Sequence, residues 1–278
     1  MSIYLTSAMA SNYIQYNLSK STDGYNNSMD QLSSGSKITS VADNPIGVSN
    51  VVKLDLQLGA NTVSQDNVSQ GQDLLSLAEG NQDLVISNLQ RIRDLTMQAA
   101  SESYTSSDKD SMLAEIKARL TEINTIANRT QFNGTNLLDG SASNLTLQMG
   151  GNSSARLNIG SGLINVSSTA LGVDVGAVTG ATWTTADTEN YLNNIDGAIN
   201  KLTVSKSQIG GFMNRLDDAT STLVSTKDSM TSNRSLISDS DVAVASADLV
   251  KYQILQQASV SILTQANQVA AMALKLLK

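Results

Sequence analysis

The feature that most constrains this chain is a stripe that runs unbroken through residues 191–230. Tyr191, Ile195, Ala198, Leu202, Ser205, Ile209, Phe212, Leu216, Ala219, Leu223, Thr226 and Met230 follow one another at alternating steps of four and three. Such spacing puts all of them on one face of a helix. Kept up over that length it calls for helical partners. Two earlier segments carry seams of the same kind. Val85, Leu89, Ile92, Leu95 and Ala99 form one, and Leu113, Ile116, Leu120, Ile123 and Ala127 form the other. The expected coiled-coil contacts are Leu89, Ile92, Leu113, Ile116, Leu120, Ile195, Leu202, Ile209, Leu216 and Leu223. The chain holds one proline, Pro45, a favoured first-turn residue, so a long helix is expected from there to about Ser101. Gly59, Gly71 and Gly80 lie within it, each about 1 kcal/mol worse than Ala, as marks of close approach or of mere tolerance. Ser107 with Asp110 three residues on predicts the N-cap of the next helix.

The two ends share a different peculiarity. No charged side chain occurs between Lys251 and Lys275, and none precedes Lys20. In the C-terminal stretch Leu255, Ala258, Ile262, Ala266, Val269, Ala273 and Leu276 form a helical stripe flanked by Gln and Asn. A solvated surface helix would carry charges on its flanks, and a lipid-crossing one would not carry so many amides. Burial among protein neighbours fits both facts. In the N-terminal helix, expected over roughly 2–32, the stripe is Ile14, Leu18, Tyr25, Met29 and Leu32, with Ser21 as its weak point. The ends are thus expected to pair with each other and to pack against other copies through Leu5, Ile14, Leu18, Leu255, Ile262, Val269 and Leu276.

Between residues 128 and 183 the pattern changes. Leu145, Leu147 and Met149 alternate with polar residues, Gly150-Gly151-Asn152 follows, and Leu157 and Ile159 alternate again, which predicts a β-hairpin. Ser33-Ser34-Gly35-Ser36-Lys37 reads as a helix breaker, Ile38 to Gly47 as an ordered linker, and Ile237 to Ala247 as a second linker. The expected fold class is mainly α: a long antiparallel coiled-coil rod with a small β-hairpin insertion. Its parts would be 1–43, half of a terminal domain with its linker; 44–139, two coiled-coil helices; 140–183, a short variable surface region; 184–235, the third coiled-coil helix; and 236–278, linker and the other terminal half.

Composition narrows the function. Aromatics make up 4% of the chain, which suits thin cores between long helices better than one thick core. A net charge of −7 opposes nucleic-acid binding. The chain has neither Cys nor His, which removes thiolate chemistry, disulfides and the commonest general base and metal ligand. Asp217-Asp218 and Asp239-Ser240-Asp241 read as solvated acidic surface, so no catalytic residue, metal ligand or cofactor is expected. The first twenty residues lack the basic region and apolar core of a secretory signal.

Several motifs in order resemble those of bacterial flagellins: Leu32-Ser33-Ser34-Gly35, Leu89-Gln90-Arg91-Ile92-Arg93-Asp94-Leu95, Asn128-Arg129-Thr130-Gln131-Phe132-Asn133-Gly134, Gln253-Ile254-Leu255-Gln256-Gln257-Ala258 and Leu263-Thr264-Gln265-Ala266-Asn267-Gln268-Val269. The resemblance covers roughly 1–160 and 185–278. It implies a secreted filament subunit with its outer domains nearly absent. Terminal helices would line the inner tube of the flagellar filament, and the coiled-coil helices the next shell. It implies export through the flagellar type III apparatus, in keeping with the missing Cys. The implied partners are other subunits, an export chaperone and the filament cap protein, with no nucleic acid and no membrane insertion. Two departures stand out. Ala270 replaces a usual proline, and Asn44-Pro45-Ile46 resembles the hook–filament junction relatives, which makes a junction protein the alternative. The resemblance also implies a surface read by the vertebrate innate flagellin receptor, with Arg91, Leu95 and Glu115 at the matching places; a plain solvated face that contacts other subunits is the competing reading.

The mechanism expected from these features couples assembly to folding. A fully buried Leu, Ile or Val contributes about 1.5–3 kcal/mol, against about 1–2 kcal/mol per residue for ordering backbone. Terminal helices without neighbours are therefore expected to be largely disordered.

Overall fold

The computed structural model describes residues 2–152 and 154–276; the side chains of residues 2–8, 10, 270 and 273–276 lie outside that description, and with them the packing expected of Leu5 and Leu276. The chain is mainly α. Its elements are α1 (Ser2–Ser34), α2 (Pro45–Ala99), α3 (Ser106–Arg129), β1 (Gln131–Phe132), β2 (Thr135–Asn136), β3 (Thr146–Gln148), β4 (Arg156–Asn158), a single turn α4 (Ser168–Leu171), α5 (Thr185–Ser238) and α6 (Val242–Leu276). It divides into two compact units, residues 1–58 with 228–278, and residues 59–227.

In the unit of residues 59–227, α2 runs antiparallel to both α3 and α5. Pairs of side chains record the register: Gln72 with Asp217 and Arg93 with Asp196 between α2 and α5, and Arg91 with Glu115 between α2 and α3. Leu89, Ile92, Leu113, Ile116, Leu120, Ile195, Leu202, Ile209 and Leu216 are all buried in one cluster, and Leu223 is half-buried against it. The 3-4 spacing explains this: each seam supplies a residue per turn to the shared interior.

Residues 137–183, which include the region 140–183 expected as a short β-hairpin and variable surface, send Leu137, Leu138, Leu163, Val166, Leu171, Val173, Val175 and Trp183 into the same cluster. Polar anchors hold this segment down. Asn124 of α3 donates to Ser168 Oγ at 3.0 Å and accepts from the Ser168 N–H at 2.8 Å. The Tyr191 hydroxyl donates to the Val173 carbonyl at 2.7 Å, and its ring meets Trp183 edge-on at 6.2 Å. Ser205 Oγ, at a seam position of α5, donates to the Gly162 carbonyl at 2.6 Å and accepts from Gln82 Nε2 at 2.9 Å.

The expected hairpin is present as β3 and β4, paired antiparallel with Leu147 opposite Leu157. A second, shorter hairpin joins β1 to β2 through Asn133 and Gly134, at φ 47° and 80°. Two successive residues in the left-handed region make the turn whose twist suits a hairpin, and Asn-Gly is the pair that best tolerates it.

Two local expectations are corrected, and the two readings left open for the α2 glycines are told apart. The N-cap of α3 is Thr105, not Ser107. Thr105 Oγ1 accepts from the Asp108 N–H at 3.3 Å, while Asp108 Oδ2 accepts from the Thr105 N–H at 3.0 Å, a reciprocal capping box. Asp110 is engaged elsewhere, accepting from the Gly180 N–H at 2.7 Å. The second linker is also shorter than 237–247. α5 continues to Ser238 and α6 starts at Val242, because Asp241 Oδ1 accepts from the Ala243 N–H at 2.9 Å and begins a helix in an Ala/Val run. Gly59, Gly71 and Gly80 of α2 separate into two kinds. A Cβ on Gly71 would come within 2.5 Å of a Leu147 methyl, whereas Gly59 and Gly80 face open space.

In the unit formed by the two ends, α1 packs along α6 with Cα atoms within 8 Å. The helices are antiparallel: Gly24 lies on the Tyr252 ring, and Gln256 Nε2 donates to Thr22 Oγ1 at 3.2 Å. The linkers between these helices and the rest zip together, with Lys37 N–H donating to Ser238 O at 2.6 Å and Ser240 N–H to Gly35 O at 2.9 Å. In the first linker Asp43 Oδ2 accepts from the Ser40 N–H at 2.9 Å, and Asn44 Oδ1 caps α2 through the Gly47 N–H at 2.8 Å. Each helix gives the other a partner surface, so both form within one chain.

Candidate assembly surface

The helix α1 meets α6 along its own stripe, through Ile14, Leu18, Ser21 and Tyr25, but the face that α6 offers is not its apolar stripe. On α1 the most covered residues are Ser21 and Ser28, with Ile14, Leu18, Gly24 and Tyr25 half-covered. Ser21, read as a weak point, is the centre of the contact. Small side chains let the backbones approach. Their hydroxyls donate back to the carbonyls one turn earlier, Ser21 to Asn17 at 2.8 Å and Ser28 to Gly24 at 3.0 Å, so no polar group is stranded. On α6 the covered row is Ala245, Tyr252, Gln256, Ser259, Leu263 and Ala266, again at steps of three and four after Tyr252.

This choice of face leaves the apolar stripe of α6 in solvent. Leu255, Ile262 and Val269 are 42%, 53% and 57% exposed, and Ile254 and Val260 beside them are about as open. On α1 the outer side shows Met9, Tyr13 and Tyr16, each more than 60% exposed. Between Lys251 and Lys275 no charge offsets this surface. A helix apolar on several faces belongs inside a larger assembly, and contiguous exposed apolar surface of this kind marks an interaction site. Of the other terminal residues expected to pack, Ile14 and Leu18 are half-covered along α6. Met9, Tyr13 and Tyr16 were not singled out by the sequence; their spacing of four and three was the signal that could have found them.

Arg91, Leu95 and Glu115 do not share a surface. Arg91 Nε and Nη2 donate to Glu115 Oε1 and Oε2 at 2.9 and 3.2 Å, a bidentate pair in solvent, with Arg119 Nη2 at 3.7 Å from the same carboxylate. The hydrogen bond from Arg91 holds the Glu115 carboxyl below the usual range, partial desolvation opposing it. Leu95 is 3% exposed and belongs to the buried cluster. It points into the core because it continues the Val85–Leu89–Ile92 seam, so the grouping is reduced to Arg91 and Glu115.

The acidic pairs have ordinary duties. Asp217 accepts from Gln72, and Asp241 caps α6. Among the described residues no three His, Cys, Asp or Glu side chains converge as metal ligands, and no helix is long and apolar enough to cross a membrane.

Comparisons with known proteins agree with one another. A family model for the bacterial flagellin N-terminal helical region matches residues 5–143, and one for the C-terminal helical region matches residues 192–277. A flagellin of Xenorhabdus nematophila is 31% identical, over 95% of this chain and 96% of its own length. A flagellin of Bacillus subtilis strain 168 is 30% identical, over 94% of this chain and 95% of its own. A structure described as a flagellar hook-associated protein from Vibrio parahaemolyticus has the same fold, with a TM-score of 0.57 and 19% identity over 70% of this chain and 99% of that one. Since the matched segments contain the terminal helix pair with its open apolar face as well as the seams of the three-helix core, this chain belongs to the bacterial flagellin family.

Proposed function

We propose that this chain enters the flagellar filament by burying the exposed apolar face of its paired terminal helices against further copies of itself. As a flagellin it is a structural subunit of that filament. The observation that carries the mode of assembly is the row Leu255, Ile262 and Val269, open to solvent on the stretch of α6 that has no charge between Lys251 and Lys275. Burying each contributes about 1.5–3 kcal/mol. A contact between different faces of successive copies that does not close into a ring gives an open helical polymer. Two variants test this. Deleting 249–278 leaves a folded core that cannot polymerise. Ile262→Asp leaves the free chain intact, since that side chain already faces water, and abolishes seeded growth. Polymerisation by either variant at the parent's rate refutes the reading.

A filament subunit is favoured over a hook–filament junction protein. The flagellins match over more than nine-tenths of both chains, while the hook-associated structure at 19% identity argues for fold alone. From family membership we further take the chain to be exported by the flagellar type III apparatus to the cell exterior, with an export chaperone and the cap protein as partners. Recognition by the vertebrate innate flagellin receptor is carried by the exposed Arg91–Glu115 pair. Arg91→Ala with Glu115→Ala should weaken receptor signalling by the monomer, and unchanged signalling removes that partner.

A further inference from the structure

We propose that the thioethers of Met9, Met29 and Met272 are a peroxide-sensitive modification site: their conversion to sulfoxide in the free chain blocks its incorporation, and reduction restores it. This rests on the reading that copies bury the outer face of α1 and α6. The chain has no Cys, so no thiol can intercept a peroxide, and the thioether is the softest oxidisable group left. Its nine methionines are unequally placed. Met9, Met29 and Met272, all on the terminal helices, are 67%, 48% and 58% exposed. Met97, at the end of α2, is 52% exposed. Met112, Met149 and Met213 pack against the buried cluster, and Met230 is half-buried. Exposed thioethers thus concentrate on the two terminal helices, with Met9 and Met272 inside their charge-free stretches.

The chemistry is balanced by the peroxide alone. One peroxide oxygen is transferred to the Met sulfur, an S–O bond forms, the O–O bond breaks, sulfur gives up two electrons, and the second oxygen leaves as water. The product carries a strong hydrogen-bond acceptor in place of an apolar surface. Met9 lies in the row of Tyr13 and Tyr16, and Met272 one turn beyond Val269. When such a face is buried against apolar neighbours the sulfoxide oxygen has no donor, and the critical concentration for growth rises roughly tenfold or more.

The test treats the full chain with hydrogen peroxide, locates added oxygen by peptide mass spectrometry, and measures the critical concentration of seeded growth. The same measurement follows treatment with methionine sulfoxide reductases A and B. It is also made on the triple variant Met9→Leu, Met29→Leu, Met272→Leu. Expected are sulfoxides at Met9, Met29, Met272 and Met97 before the other described methionines, a roughly tenfold rise in critical concentration, and recovery after reduction. The triple variant should keep its growth although Met97 is oxidised. The proposal is overturned if the three sulfoxides leave growth unchanged, if reduction fails to restore it, or if the peroxide-treated triple variant loses growth as the parent does. Should the triple variant not grow before treatment, recovery of the parent on reduction decides. Failure of the underlying assembly reading shows separately, as growth of untreated chains lacking 249–278.

Discussion

Replacing Ser205 by alanine removes one oxygen from the middle of α5 and strands two groups. The hydroxyl serves both Gln82 Nε2 and the Gly162 carbonyl, at 2.9 and 2.6 Å, and Ser205 and Gln82 are 1% and 0% exposed. Gln82 Oε1 already has no protein partner. A buried group left without its partner costs about 1–3 kcal/mol. Two such groups, less the relief of no longer burying the serine hydroxyl, give a loss of about 2–4 kcal/mol. The loss should appear as a lower urea midpoint with an unchanged slope. Gln82→Met in the same background removes the stranded amide and should return about half of it; a double-mutant cycle on the two positions reads the coupling directly. A cost below about 0.5 kcal/mol for Ser205→Ala would mean that water reaches the layer, and would refute the claim that this bond fixes residues 137–183 on α5.

Gly80 faces open space in the interior of α2, so Gly80→Ala should raise stability by about 0.4–1 kcal/mol in a thermal melt. At Gly160 a Cβ would land on the Ala142 carbonyl, so Gly160→Ala should lower it; equal effects at the two positions would contradict the packing described. The carboxyls of Asp108 and Asp187 are held below the usual aspartate range by hydrogen bonds from the capping threonines Thr105 and Thr184. A depressed folded-state value adds stability that is present above the unfolded value and is lost as pH falls through the folded one. Amide protection in the first turns of α3 and α5 should therefore fall away only beneath the ordinary carboxylate range, and Thr105→Ala, which leaves the Thr105 N–H on Asp108, should move that loss to higher pH at α3 alone; protection indifferent to acid would count against both caps.

Long-range architecture was legible wherever one period persisted. The seams through Leu89, Leu113 and Ile195 could be read because each residue's direction followed from its neighbours three and four away. What could not be read was which face of α6 its partner would take. The apolar stripe through Leu255 and Ile262 was visible, yet α1 chose the row through Tyr252 and Ser259. Backbone approach at Ser21 and Gly24 outweighs side-chain apolarity there, and small residues leave no periodic hydrophobic mark. Outside its hairpin the segment 137–183 was opaque for another reason: its core residues, such as Val173 and Trp183, enter from turns anchored by single polar bonds to Tyr191 and Asn124, which lie outside the segment. Leu95 was misjudged as a surface residue because the resemblance placed it in a motif, although its own seam placed it inside. The capping pair at Thr105 was misplaced by two residues since Thr105/Asp108 and Ser107/Asp110 have the same spacing, and only the claim of Gly180 on Asp110 separates them.

The central claim is that the face of α6 turned away from α1 is covered by other copies. The most direct measurement is a cryo-EM reconstruction of the assembled filament at side-chain resolution. Leu255, Ile262 and Val269 should then be buried against neighbouring chains while Ser21 and Ser28 keep their places against α6 of the same chain. A filament in which those three side chains still face water, or in which α1 and α6 have parted, would contradict the account.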